Sequence, residues 1–139
     1  MEKLLSDNKE QFINLNEYEI VNISGVENNF ASTESIKLHI ESLENQGNMV
    51  IGPFATRQET ENALKYLNTR FARFMVSLVQ YTQNTKSDSY LLVPLQDFTS
   101  GSDIDWSKSI PEIDQQLYAK YNLSSDETTF IEKMIKPME

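Results

Sequence analysis

A capping box followed by a run of apolar residues at helical spacing constrains this chain more than any other feature. Thr56-Arg57-Gln58-Glu59 sets a hydroxyl and a carboxylate three residues apart, so each can serve a free backbone N–H at a helix start. From there Leu64, Leu67, Phe71, Phe74, Leu78 and Tyr81 recur at intervals of three and four. Ala72, Met75, Val76 and Val79 make the other sides of the same stretch apolar as well. A helix that is apolar on most sides is buried by several neighbours. The pattern therefore predicts one central helix over 57–82, with a turn at Asn84 to Ser89 after it.

Shorter elements are placed around it. Tyr18 to Ile23 reads as a strand, and residues 24–32 as a loop rich in Asn, Ser and Gly. Ser32 or Thr33 can cap a helix running to about Asn45, with Ile36, Ile40 and Leu43 on one face and Gly47 as a left-handed C-terminal residue. Met49-Val50-Ile51 is a short strand that Gly52-Pro53 should stop, and Tyr90 to Val93 is a buried strand ending at Pro94. Pro111 opens a helix that Asn122 ends. Ser124 to Glu127 is a second capping box, for a helix to about Lys136, which Pro137 stops.

The expected architecture is α+β: a small mixed β-sheet packed on one long central helix, with a C-terminal helical hairpin over 111–136. At 139 residues the chain is expected to be a single domain, 1–139, with residues 1–17 a frayed helix or loosely ordered arm.

Composition narrows the chemistry. The chain has no cysteine, which removes thiolate metal sites and cysteine nucleophiles, and a single histidine. His39 lies beside Ile36, Ile40 and Leu43 and reads as a boundary side chain rather than a catalytic base. Asp103, Asp105 and Ser107 alternate as calcium-loop oxygens do, but the sixth and twelfth positions are Lys108 and Asp114. That loop is read instead as one whose acids cap the next helix and whose Trp106 anchors it to the core. Four glycines, at 25, 47, 52 and 101, cannot form a phosphate-binding loop. No catalytic, cofactor or metal residue is assigned. With no membrane-length apolar stretch and no secretory start, the expected location is the cytoplasm.

The net charge is −9, unfavourable for a sequence-blind nucleic-acid binder. It is uneven, at −6 over residues 1–56, +2 over 57–90 and −5 over 91–139. Only the middle suits a phosphate backbone. The helical step puts Lys65 and Arg73 opposite the Leu64/Leu67/Phe71/Phe74 face and Arg70 on its flank, with Lys86 in the following turn. These four are the candidate phosphate contacts, against the reading of a solvated face helped by a Glu61–Lys65 pair. Asn68, Thr69, Gln80 and Gln83 are candidates for further polar contacts to DNA.

Val50 to Phe54, residues 59–83, LVPLQDFTSGSDIDWSKSIPEIDQQLYAKYNLS over 92–124 and FIEKMIKPM over 130–138 together resemble the C-terminal region of bacterial type II restriction-modification enzymes. These are built around an adenine-N6 DNA methyltransferase, some with a fused nuclease. The similarity covers roughly 48–138, a family-like C-terminal module. A methyltransferase of this kind needs a Gly-rich cofactor loop and an Asn-Pro-Pro-Tyr type motif, and the nuclease an Asp…Glu-x-Lys site. This chain has no such loop, no Pro-Pro pair and no convincing nuclease triad.

The resemblance therefore implies a non-catalytic target-recognition or accessory module, with double-stranded DNA as its partner. The alternative is an acidic interaction or inhibitory module that docks on a methyltransferase or restriction subunit. A homodimer through apolar patches of the long helix belongs with that alternative.

Overall fold

The computed structural model describes residues 10–14, 16, 19–22, 24–27, 30–80 and 90–136. They form an α+β fold with a mixed four-stranded sheet and five helices among them. The chain divides into two compact units, residues 3–64 and residues 65–139.

The first unit holds the sheet. Its strands are β1 (Gln11–Asn14), β2 (Glu19–Asn22), β3 (Gly25–Glu27) and β4 (Val50–Phe54), in the order β3-β2-β1-β4. β2 runs antiparallel to both β1 and β3, and β4 runs parallel to β1. β1 falls inside the 1–17 stretch expected to be a frayed helix or loosely ordered arm, and for Gln11–Asn14 that expectation is corrected. All four of its residues are buried, and Phe12 and Ile13 carry apolar groups to its two faces. The polar look of the segment was misleading because its polar side chains find partners. Asn22 Nδ2 donates to Gln11 Oε1 at 2.9 Å, and Gln11 Nε2 donates to Asn48 Oδ1 at 3.2 Å.

Helix α1 (Thr33–Asn45) follows the expected span. Ser32 caps it, with Ser35 N donating to Ser32 Oγ and Ser32 N to Ser35 Oγ, both at 3.1 Å. Gly47 has the expected positive φ, 90°, and closes the helix through its N–H to Glu44 O at 3.0 Å. Ile36 on α1 is fully buried with Ile13 and Ile20, and Phe30, Ile40, Leu43 and Val50 pack around them. This face of the sheet is therefore covered by α1.

β4 continues through Gly52-Pro53, where a stop was expected. It is an edge strand, so the N–H that Pro53 lacks leaves no ladder bond unmade on the open side. Gly52 is required there. Its φ is 128°, and a Cβ would stand 2.8 Å from Ile13 O.

The single 57–82 helix is also corrected. It is two helices, α2 (Arg57–Leu67) and α3 (Arg70–Gln80), broken at Asn68-Thr69. α2 starts at the predicted capping box, Glu59 N donating to Thr56 Oγ1 at 3.1 Å. Residues 81–89, including the expected turn, lie outside the described residues.

In the second unit α3 packs against α4 (Ile110–Lys120) and α5 (Ser125–Met134). These two are the expected hairpin. Ser109 and Ser124 each form a full capping box, with Glu112 and Glu127, and Asn122 takes φ 56° in the connection. The core here joins Phe71, Ala72 and Val76 to Ile113, Leu117, Ile131 and Ile135, all at most 3% exposed.

The expected strand at Tyr90 to Val93 is a turn, closed by Val93 N donating to Tyr90 O at 3.1 Å. Leu91 and Leu92 are exposed, so the apolar run did not signal burial. The loop after it is held by its aromatic rings. Tyr66, Phe98 and Trp106 stand with ring centroids 5.1–5.8 Å apart, and Trp106 Nε1 donates to Asp97 O at 2.8 Å. Trp106 is the expected anchor. The loop's acids do not cap the next helix; Ser109 does, while Asp105 accepts from Ser107 N at 3.0 Å.

Candidate functional site

Five of the eight residues singled out for DNA contact, Lys65, Asn68, Thr69, Arg70 and Arg73, lie at or near the break between α2 and α3. The break satisfies its own polar groups. At the end of α2, Asn68 N donates to Lys65 O and Thr69 N to Tyr66 O, both three residues back. Thr69 then turns the chain into α3, its hydroxyl donating to Tyr66 O at 2.6 Å and accepting from Ala72 N at 3.1 Å. Asp114, from α4, takes the next two amides: Arg70 N at 3.0 Å and Phe71 N at 2.9 Å. The free N–H groups that could have seated a phosphate at the α3 start are thus held by the chain itself.

Two non-helical residues also change the phase of everything after them. Arg73 was expected opposite the apolar face. It is 3% exposed, with Nε donating to Thr69 O at 3.3 Å. Thr69 is fully buried, and Asn68 is half-buried. Arg70 is partly exposed, its Nη1 3.7 Å from Glu132 Oε2 on α5. Lys65 donates to two carbonyls, Trp106 O at 2.7 Å and Lys108 O at 3.1 Å. Gln80 ends α3, and nothing of its side chain is described; Gln83 and Lys86 lie outside the described residues.

Arg70, Arg73, Ile110, Pro111, Asp114, Gln115 and Glu132 line a cleft of about 150 Å³. Arg70 stands 3.7 Å from Glu132 in it, and both guanidinium groups act on Asp114. Burial pushes the Asp114 carboxyl up, against the opposing pull of the Phe71 and Arg70 amides and the two guanidinium groups. Burial also pushes the Tyr118 hydroxyl above its ordinary range, reinforced by Asp114 and Glu132. Neither Tyr118 Oη nor Arg70 Nε has a hydrogen-bond partner among the described residues. The cleft can hold a few waters, but it presents no nucleophile beside a base.

Asp114 was missed as a member of this site. The signal was present: it sits between Ile113 and Leu117 on the buried face of α4, where an acid calls for a partner.

His39 Nε2 stands 3.4 Å from Glu27 Oε2 with its ring 5.1 Å from Phe30, a local contact at the rim of the first unit. Asp103 Oδ1 accepts from Lys120 Nζ at 3.0 Å. Among the described residues no group of three or more acidic or imidazole side chains is arranged to hold a metal ion. No helix among them is long and apolar enough to cross a membrane.

Large apolar side chains lie open in the second unit. Leu95 is 97% exposed, Leu91 68% and Leu92 49%, and Phe130 and Met134 stand out from α5.

Comparison with protein families finds no match, and comparison with curated proteins and with solved structures finds none.

Proposed function

We propose that this chain is a non-catalytic accessory module of the kind the C-terminal region of a restriction-modification adenine methyltransferase supplies, and that it works by contact with protein. The observation that carries this reading is the use made of the basic side chains at the candidate face and of two others among the described residues. Lys65 holds backbone carbonyls, Arg73 is buried, Arg57 is paired with Glu19, and Lys120 with Asp103. Arg70 stands beside Glu132. In a chain of net charge −9 this leaves a poor footing for a duplex. Target recognition through Lys65, Arg70 and Arg73 would need these contacts to open.

Fluorescence anisotropy with random-sequence duplexes, at low and then moderate salt, tests the reading. No binding at low salt is expected. Binding that falls steeply with salt would overturn it in favour of a DNA-recognition module, and the slope would count the phosphates. Co-expression with a methyltransferase subunit of the resembled class is expected to give a stable complex.

A further inference from the structure

Exposed leucines are common singly and usually mean nothing. Leu95 differs in how its backbone is held. On one side, Tyr66 Oη donates to Pro94 O at 2.8 Å. On the other, Gln96 Nε2 donates to Tyr121 Oη at 2.7 Å while Gln96 Oε1 accepts from Lys120 Nζ at 2.8 Å. One residue further, Trp106 Nε1 donates to Asp97 O. Tyr66 and Trp106 thus hold two backbone carbonyls, and Tyr121 the Gln96 side chain, on either side of a leucine that is 97% exposed. Leu91 and Leu92 are exposed in the turn just before it. A large apolar group presented on an ordered backbone loses little conformational freedom on binding, which is what favours an anchor residue.

The surrounding charge says what kind of surface this fits. Residues 91–105 contain Asp97, Asp103 and Asp105, all exposed, and no Lys or Arg. The Thr99 hydroxyl and amide hold Asp97 below the usual carboxylate range, and Ser107 does the same for Asp105, so both stay ionised. Lys120 pairs with Asp103, bonds Gln96 and acts on Asp97, and Lys108 and Lys65 act on Asp105, while the balance over residues 91–139 is still −5. A second copy of this chain would bring the same acids against these, so like charges oppose self-association here.

We propose that Leu95, with Leu91 and Leu92, anchors a docking surface for a protein that offers an apolar pocket rimmed by Lys and Arg. This rests on the accessory reading above and names the partner's chemistry.

The test pans a random dodecapeptide phage library on the immobilised full chain and synthesises the dominant peptide. Expected are peptides with one or two large apolar residues flanked by Lys or Arg, bound roughly tenfold more weakly by L95D and also more weakly by L95A. Their affinity should fall with added salt. Circular dichroism of L95D should match the wild type, because the side chain touches little of the core. Peptides without basic residues, or undiminished binding to L95D and L95A, would overturn the proposal. So would a wild-type dimer that L95D dissolves, seen by light scattering, because the occupant would then be a second copy. Duplex anisotropy on the same proteins separates the two ideas, since salt-steep DNA binding counts against the accessory reading whatever the peptides do.

Discussion

The Asp114 carboxylate accepts the backbone N–H of Phe71 at 2.9 Å and that of Arg70 at 3.0 Å, reaching from one helix to the start of another, 43 and 44 residues earlier. Together with the Thr69 hydroxyl it makes a composite N-cap. This is what allows the chain to stop one helix at Leu67 and start the next at Arg70.

Replacing Asp114 with Ala should therefore destabilise the protein by about 2–4 kcal/mol, since two buried amides lose their acceptor. Asn should fall between, because its oxygen can accept one N–H while its amide nitrogen meets the other donor to donor. Urea unfolding of both variants checks the order. An Ala variant as stable as the wild type would remove Asp114 from this role.

The same carboxylate has a pH signature of unusual sign. Its folded-state value is raised, so the folded protein binds that proton more tightly than the unfolded chain. Its contribution is full below the unfolded value, 3.8, and is lost as pH rises through the raised folded value. Asp97, Asp105 and Glu112 are lowered, so theirs is present above the unfolded values and lost as pH falls through the folded ones. Asp114→Asn removes only the first. Its stability deficit against the wild type should grow as pH falls toward 3.8. A deficit that shrinks with acid would show the opposite shift.

Thr69→Val keeps the shape of the side chain and removes the hydroxyl that links Tyr66 O to Ala72 N. A loss of about 1 kcal/mol is expected by thermal unfolding, the usual size for an N-cap.

At Gly52 an Ala side chain would meet Ile13 O at 2.8 Å with φ at 128°. The strain should destabilise the first unit by about 2 kcal/mol. Hydrogen exchange should show the effect in β1 and β4 amides.

Arg73→Glu should fail as a test of DNA affinity, because it acts on the fold. A carboxylate placed at a site 3% exposed, near Asp114, should cost about 3–5 kcal/mol. Near-UV circular dichroism is expected to show lost tertiary packing at a temperature where the wild type is intact. A well-folded variant would mean that Arg73 is more accessible than its burial indicates.

Much of this protein was readable from local signals. The capped starts of α1, α2 and α5 each rest on a side chain bonding a backbone group three residues away, and Pro111 marked the start of α4, though not its Ser109 cap. The end of α1 at Gly47 and the left-handed Asn122 are local in the same sense.

Tertiary partners decided the rest. Gln11 to Asn14 became a central strand because β2 and β4 flank it and Asn22 and Asn48 satisfy Gln11. Asn68-Thr69 carried cap-type residues, but the apolar spacing ran straight through them. The break rests on an acid from α4, distant in sequence. That two-residue step turned Arg73 inward, and with it the face that spacing alone had assigned to solvent. At Tyr90 to Val93 four apolar residues had no strand to pair with among the described residues, and they closed as a turn that leaves Leu91 and Leu92 exposed. Periodicity records which side chains are apolar along one element. Which of them is buried depends on the neighbour that arrives, and that neighbour is set by contacts far apart in the chain.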